Sequence, residues 1–394
     1  MLMPSRRCWC RRPLLLMWLV VGCTVWLPTA AGWAVAPRPP SVLDREAPFR
    51  RLLWVTRWDY RSAEDIQRIC YNAASARFTD ILFQVRGEGT VFYRSRLEPW
   101  AWELSGSGPS GVGRDPGWDP LAEALRSARR YGLRVHAYLN VLPGWAQSEP
   151  PPASSGQLLA LHPEWFMVDR RGRRMHADGS YAFLDPGVPA VRQHLARLAA
   201  ELVRRYPVHG VHLDYIRYPF EQGDYSYGSA MLAAFKSVTG GRPSSRPEQW
   251  DAFRRRQITE TVEAISRAVR ANRPGVELSA AVLADAEKCR QQAFQSPGEW
   301  IEQGLLDAIA PMAYNGDMVA FETLCRPFRK PELRSHCWPG IYAAAEKNPH
   351  PARQVRRALG MGFEAVAVFA YRNLFDAHRP TRRARAIYEA FVEE

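Results

Sequence analysis

From Phe49 onward, short apolar runs rich in β-branched residues alternate with longer segments of helical periodicity, and no other feature constrains the fold of this chain as strongly. Runs of that length between helical segments are the pattern of βα units and a parallel sheet. Strands are expected at residues 52–57, 80–86, 133–140, 208–214, 276–283, 306–314, 338–343 and 365–371. The main helices are expected at 62–76, 120–131, 188–206, 228–238, 248–272, 354–361 and 380–392. Local chemistry marks their ends: Ser62 with Asp65 opens the first helix, Asp119-Pro120 opens the second, and Gly132 closes it. Eight such strands close into a barrel, so residues 49–394 read as a single α/β domain, a (β/α)8 TIM barrel. Long βα loops are expected after strands 2, 3 and 4. The alternative, an open doubly wound sheet, would want a Gly-rich phosphate turn after its first strand, where this chain has Thr56-Arg57-Trp58-Asp59-Tyr60.

A barrel builds its site at the C-terminal ends of its strands. The run V-H-G-V-H-L-D-Y-I-R-Y-P, residues 208–219, starts as an apolar strand and turns abruptly into charge and aromatics at Asp214. Other expected tips carry Arg57 and Asp59; Gln84, Arg86 and Glu88; His136, Tyr138 and Asn140; Asp285; Tyr314, Asn315 and Asp317; Tyr342 and Glu346; and Tyr371, Arg372 and Asn373. Asp307, by contrast, starts a strand and belongs to the opposite, structural end. Two carboxylates flanking a sugar bond are the minimum apparatus of glycoside hydrolysis. Asp214 suits the ionised role, with Arg217 or Arg86 to hold its charge. Its proton-donating partner is sought among Asp285, Glu88, Glu346 and Asp317, and Asp285 ranks first because it follows the adjacent strand. Arg57, Gln84 and Arg86 would floor the substrate site, and His136, Asn140 and His212 would bind hydroxyls. Tyr215, Arg217 and Tyr218 would set the acid's charge and the sugar's pose, and Tyr314, Asp317 and Tyr371 would contact substrate from the later strands. Trp100, Trp145 and Trp165 read either as sugar platforms or as loop anchors.

The 14 Trp and 15 Tyr either supply rings on which sugar faces stack or simply fill a large core. The formal net charge of +13 favours anionic partners, but no basic run is interleaved with aromatics, so nucleic acid is not expected. A metal-dependent hydrolase would have to use His136, His212 and Asp214, yet the first strand lacks the H-x-H such barrels place there. No metal or other cofactor is expected. Arg6, Arg7, Arg11 and Arg12 followed by apolar residues 14–21 form a targeting segment too short to read as a membrane span. A signal peptide of residues 1–31 ending at Pro28-Thr29-Ala30-Ala31 competes with a lipoprotein signal whose lipidated residue would be Cys23. A Pro-rich linker, 32–48, follows. Either way the protein is expected to work outside the cytoplasm, secreted, periplasmic or lipid-anchored. Beyond the leader stand Cys70, Cys289, Cys325 and Cys337; Cys325 and Cys337 are the expected disulfide pair, and Cys70 is expected to be buried and free.

The run G-V-H-L-D-Y-I-R-Y-P, followed by D-Y-S-Y-G, resembles the family 10 glycosyl-hydrolase-like proteins, once catalogued as a domain of unknown function. L-L-W-V-T-R, F-Q-V-R-G-E-G-T-V-F-Y-R-S, D-P-L-A-E-A-L, V-H-A-Y-L-N, H-P-E-W-F, F-L-D-P-G-V-P-A-V-R and G-L-L-D-A-I-A-P-M-A-Y agree in that order, over roughly residues 51–371. The resemblance implies an exported or lipid-anchored TIM-barrel glycosidase. It also implies cell-wall glycan as the substrate class and Asp214, the acid of the fourth strand, as the catalytic residue. It assigns no partner carboxylate, and the segment between Trp102 and Trp118 has no counterpart in it. A glycan-binding barrel without catalysis is the alternative of another class.

Overall fold

A computed structural model describes residues 49–177, 180–344 and 346–392, all within one compact unit. Its sheet is a closed parallel barrel of β1 (Arg50–Val55), β2 (Asp80–Arg86), β3 (Arg134–Asn140), β4 (Gly210–Asp214), β5 (Glu277–Leu283), β6 (Ala308–Met312), β7 (Gly340–Tyr342) and β8 (Ala365–Phe369). Neighbours in the barrel are neighbours in sequence, and β8 closes on β1 with Arg50 opposite Ala365 and Leu52 opposite Ala367. This is the architecture the alternation predicts. The expected strands overrun the observed ones at several ends. β1, for example, stops at Val55 because the Asp59 carboxylate takes the Thr56 N–H at 2.6 Å and turns the chain.

Alternation along each strand divides two layers. Leu52, Trp54, Leu82, Tyr138, Ala308, Ala310, Trp338 and Ala367 fill the barrel interior, two indoles occupying the space that the alanines leave. Leu53, Val55, Ile81, Phe83, Val135 and Leu139 belong to the larger outer core under the helices. The first of those helices, Ala63–Ser75, starts with the expected capping box between Ser62 and Asp65. The second, Pro120–Tyr131, is capped by Asp119 and ends on Gly132 at φ 69°.

The N-terminal mouth is shut by charge. Arg50 bridges Asp80 at 2.6 Å and Glu277 at 2.7 Å, Arg134 reaches Glu277 at 2.9 Å, and His136 Nε2 lies 3.0 Å from Asp80. Although burial works against the charge, His136 and Arg50 hold the Asp80 carboxyl well below the usual range. His136 was expected at the catalytic end. It shares a face with Tyr138 and Asn140, but at the bottom of the barrel, opposite Gly210. A Cβ at Gly210 would collide with the His136 ring, so the glycine inside the β4 motif makes room for this bottom layer.

Long segments follow β2, β3 and β4, at residues 87–119, 141–188 and 215–228. The second contains a small hairpin, Pro143–Trp145 against Ala182–Phe183. Cys325 and Cys337 do not form the expected disulfide. Both are buried free thiols, as are Cys70 and Cys289. Cys70, Cys325 and Cys337 pack in the outer core beside the helices, and burial pushes the Cys325 thiol up to about 12. The expected leader, Cys23 and the linker lie outside the described residues. Among the described residues no helix is long and apolar enough to cross a membrane.

Candidate active site

Asp214 is the last residue of β4, and the strand register sets it beside Asn140 at the C-terminal mouth. The next residue, Tyr215, takes the left-handed conformation at φ 51°. That turn brings the Tyr215 N–H back onto Asp214 Oδ1 at 2.6 Å, where Arg217 Nη1 also donates at 3.1 Å. On the other oxygen, Tyr138 Oη donates to Oδ2 at 2.9 Å. Backbone, guanidinium and phenol therefore converge on one carboxylate, an arrangement that stabilises its negative charge. Burial and the neighbouring Asp214 charge push the Tyr138 phenol well up, so it stays a donor.

The Asp214 side chain keeps 10% of its surface open, facing a cavity of about 480 Å³. Phe183, Tyr215, Tyr218, Phe220, Tyr314 and Phe369 give this cavity aromatic walls, and Arg217, Glu221 and Gln222 give it a polar side. Beneath Asp214 in the barrel, His212 accepts from Trp54 Nε1 at 3.3 Å and meets Ser279 Oγ at 2.9 Å. Burial, reinforced by His136, pulls the His212 pKa down to about 3, so its ring is a neutral, fully enclosed floor under the site.

A second acidic cluster stands to the side of the cavity. Arg57 Nη2 bonds Glu88 Oε2 at 2.5 Å, and Glu88 Oε1 accepts from Trp102 Nε1 at 3.1 Å and Gln147 Nε2 at 3.2 Å. Arg57 Nε also approaches Glu103 Oε1 at 3.1 Å, but at an angle that makes no hydrogen bond, so both Glu103 oxygens are buried without one. Burial, opposed by Arg57 and reinforced by Glu88, pushes the Glu103 carboxyl up to about 7. For Arg57, burial works against the charge, but Tyr181, Glu103 and Glu88 hold its pKa above the usual value. Gln84 belongs to this cluster and accepts the Arg57 N–H at 2.9 Å. Tyr181 links it to the main site: Arg57 lies 5.9 Å over its ring, Asn140 Nδ2 is 3.5 Å from its hydroxyl, and its ring packs edge-on to Tyr215.

The structure thus gathers Asp214, Tyr215, Arg217, Tyr218 and Tyr314 around one cavity, with Asn140 and His212 packed against it and Arg57, Gln84 and Glu88 alongside. Other expected residues lie elsewhere. Arg86 is fully enclosed, bidentate to Glu98 at 2.8 Å through Nε and Nη2, while Nη1 donates to the carbonyls of Asn140, Val141 and Pro143. With all its nitrogens engaged it ties the loop after β2 to the chain leaving β3. Asp285 caps the helix Ala286–Gln291 through the N–H groups of Glu287 and Lys288, and Asp317 caps Met318–Cys325. Neither lines the Asp214 cavity. Glu346 is exposed and also outside it. Tyr371 turns outward, its hydroxyl bonded to Asn72 at 2.9 Å and His378 at 2.8 Å. Trp145 is buried with its Nε1 on the Glu149 carbonyl, and Trp165 stacks on His162. Sequence reasoning missed Glu221 and Glu103. Glu221 follows Asp214 within the same loop, a proximity that could have marked it. Among the described residues, no group of three or more His, Cys, Asp or Glu is arranged to hold a metal ion.

Residues 51–326 match the family described as Glycosyl hydrolase-like 10. Glycosyl hydrolase DigH of Escherichia coli strain K12 is 28% identical over 251 residues, 59% of this chain and 54% of that protein. Glycosyl hydrolase YngK of Bacillus subtilis strain 168 is 24% identical over 302 residues, 70% of this chain and 52% of that protein. The chain spans about half the length of these curated relatives. Among solved structures, a cold-adapted β-galactosidase from Rahnella sp. R3 superposes with a TM-score of 0.62 at 14% identity, covering 90% of this chain and 57% of its own. An α-L-fucosidase isoenzyme from Paenibacillus thiaminolyticus does so at 0.60 and 16%, covering 87% and 48%. At those identities the superpositions show the shared barrel.

Proposed function

The chain belongs to the Glycosyl hydrolase-like 10 family, and from that membership and the Asp214 cavity we propose an extracytoplasmic glycoside hydrolase that cleaves a polysaccharide, with cell-wall glycan as its substrate. The observation that carries this reading is a carboxylate with three donors that still opens into an aromatic-walled cavity at the catalytic end of a barrel. Such a group is suited to act in its ionised form, on the anomeric carbon or on a water beside it. Tyr138 and Arg217 hold that charge in place before substrate arrives, so little reorganisation is needed as positive charge develops on the sugar. The aromatic walls offer faces on which sugar rings stack. The cell-wall assignment is supported by the basic balance of the chain, and the extracytoplasmic one by its arginine-led N-terminus, with either a cleaved signal or lipidation at Cys23.

The test is product release from purified cell-wall glycan and a panel of neutral polysaccharides, with wild type beside Asp214→Asn. Wild type is expected to release reducing ends from cell-wall glycan, and Asp214→Asn to lower kcat by roughly 10²–10⁴-fold. Release from none of these glycans by wild type would sink the hydrolase reading, and an unimpaired Asn variant would remove Asp214 from its centre.

A further inference from the structure

Among the described residues, the Asp214 cavity is lined by one other carboxylate, Glu221, on the turn Phe220–Gln222 of the loop that leaves β4. Resting on the hydrolase reading, we propose that Glu221 is the partner of Asp214, the group that protonates the leaving glycosidic oxygen. The contrast between the two carboxyls divides the roles. Asp214 receives three donors, from Tyr138, Arg217 and the Tyr215 N–H. Glu221 is exposed and makes no hydrogen bond or ion pair among the described residues. No cation among them pairs with it, and its carboxyl stands at the cavity that a glycan would fill. A glycan filling the cavity would strip water from Glu221 beside the fixed Asp214 charge, and both effects favour its neutral form. Its charge already reaches across the cavity: Tyr215 is pushed up by burial, by Asp214 and, more weakly, by Glu221, with Arg217 opposing.

The turn that carries Glu221 is not left loose. Upstream of it, Tyr218 Oη donates to Ser226 Oγ at 3.2 Å, and Ser226 donates to the buried Asp185 at 2.6 Å. Asp224 is held by Arg170 at 2.8 Å and by Arg254 at 2.6 Å. These anchors bracket residues 219–223 and hold the turn that carries Glu221 beside the cavity. The other acids considered, Asp285, Asp317, Glu346 and Glu88, are outside the cavity lining. In the reaction the C1–O bond breaks with its electron pair going to the leaving oxygen, which takes the Glu221 proton. One water is consumed: its hydroxyl ends on C1 and its proton restores Glu221.

The experiment compares the full-length wild type, Glu221→Gln, Glu221→Asp and Asp214→Asn on peptide-free cell-wall glycan from about pH 4 to pH 9. Glu221→Gln is expected to lower kcat by roughly 10²–10⁴-fold and to abolish the alkaline limb of the kcat/KM profile. Glu221→Asp should retain an alkaline limb at reduced rate. A Gln variant with wild-type kcat, or one whose alkaline limb persists, would overturn the assignment while leaving the hydrolase reading intact if Asp214→Asn is dead. A wild type that releases nothing would bring down that reading and this assignment together.

Discussion

In the folded chain the Glu103 carboxyl keeps its proton to about pH 7, whereas its unperturbed value is 4.5. Between those values the folded state binds more protons than the unfolded one. The stability tied to this group is therefore complete below about pH 4.5 and is lost as pH rises through 7, by about 3 kcal/mol. Glu103→Gln keeps the shape and removes the titration. Urea midpoints measured at pH 4.5 and pH 8 should differ less in the variant than in wild type, and the variant should be the more stable at pH 8. An unchanged gap would mean that Glu103 ionises freely. Glu103 illustrates what single residues hide in a sequence. Asp214 was legible because an apolar strand ends on it, whereas the environment of Glu103 comes from Arg57, after β1, and from Glu88, at the start of its own loop. Glu221 lies in the loop that follows Asp214 and carries no strand pattern to flag it.

Among the elements, the loop after β2 depends on one buried fork. Arg86, at the end of β2, grips Glu98 at the far side of its own loop and three carbonyls on the chain after β3; His194 adds a contact to Glu98 at 3.0 Å. Read as a strand-tip residue, Arg86 looks like a substrate contact. It is instead a fastener, because the bulge between Gln84 and Arg86 shifts the register there and the covering loops enclose the side chain. Removing one side of a buried pair leaves the other charge uncompensated at a cost of about 3–5 kcal/mol. Arg86→Met should lower the urea-unfolding free energy by that amount, and adding Glu98→Met should recover part of it. A stability loss under about 1 kcal/mol, with KM for glycan raised instead, would restore the substrate-binding role. The same distinction explains the helix caps. Asp285 and Asp317 were expected at strand tips, but both lie past the observed strand ends, where the chain leaving a strand starts a helix and a carboxylate that bonds the first N–H groups serves that helix.

At the scale of the molecule, strand order was readable from the alternation alone, since consecutive βα units can close only one way round. What alternation does not convey is how much of the closure rests on the last two strands. The family match stops at residue 326, after β6. β7 and β8 lie beyond it, yet β8 pairs with β1 at four positions, Arg50 through Leu53, and Trp338, Ala365 and Ala367 fill the interior beside Trp54. A fragment of residues 49–326 would leave β1 and β6 as open edges and Trp54 facing a half-filled barrel. Parallel strands buried on both faces do not tolerate such exposure. The fragment is therefore expected to aggregate or to melt without a cooperative transition, while residues 49–394 unfold in a single sharp step in differential scanning calorimetry. A sharp melt for the fragment would show that the matched segment folds alone and that β7 and β8 are an addition. Loss of it would show that the Asp214 cavity, whose wall includes Phe369 of β8, exists only when the whole ring is closed.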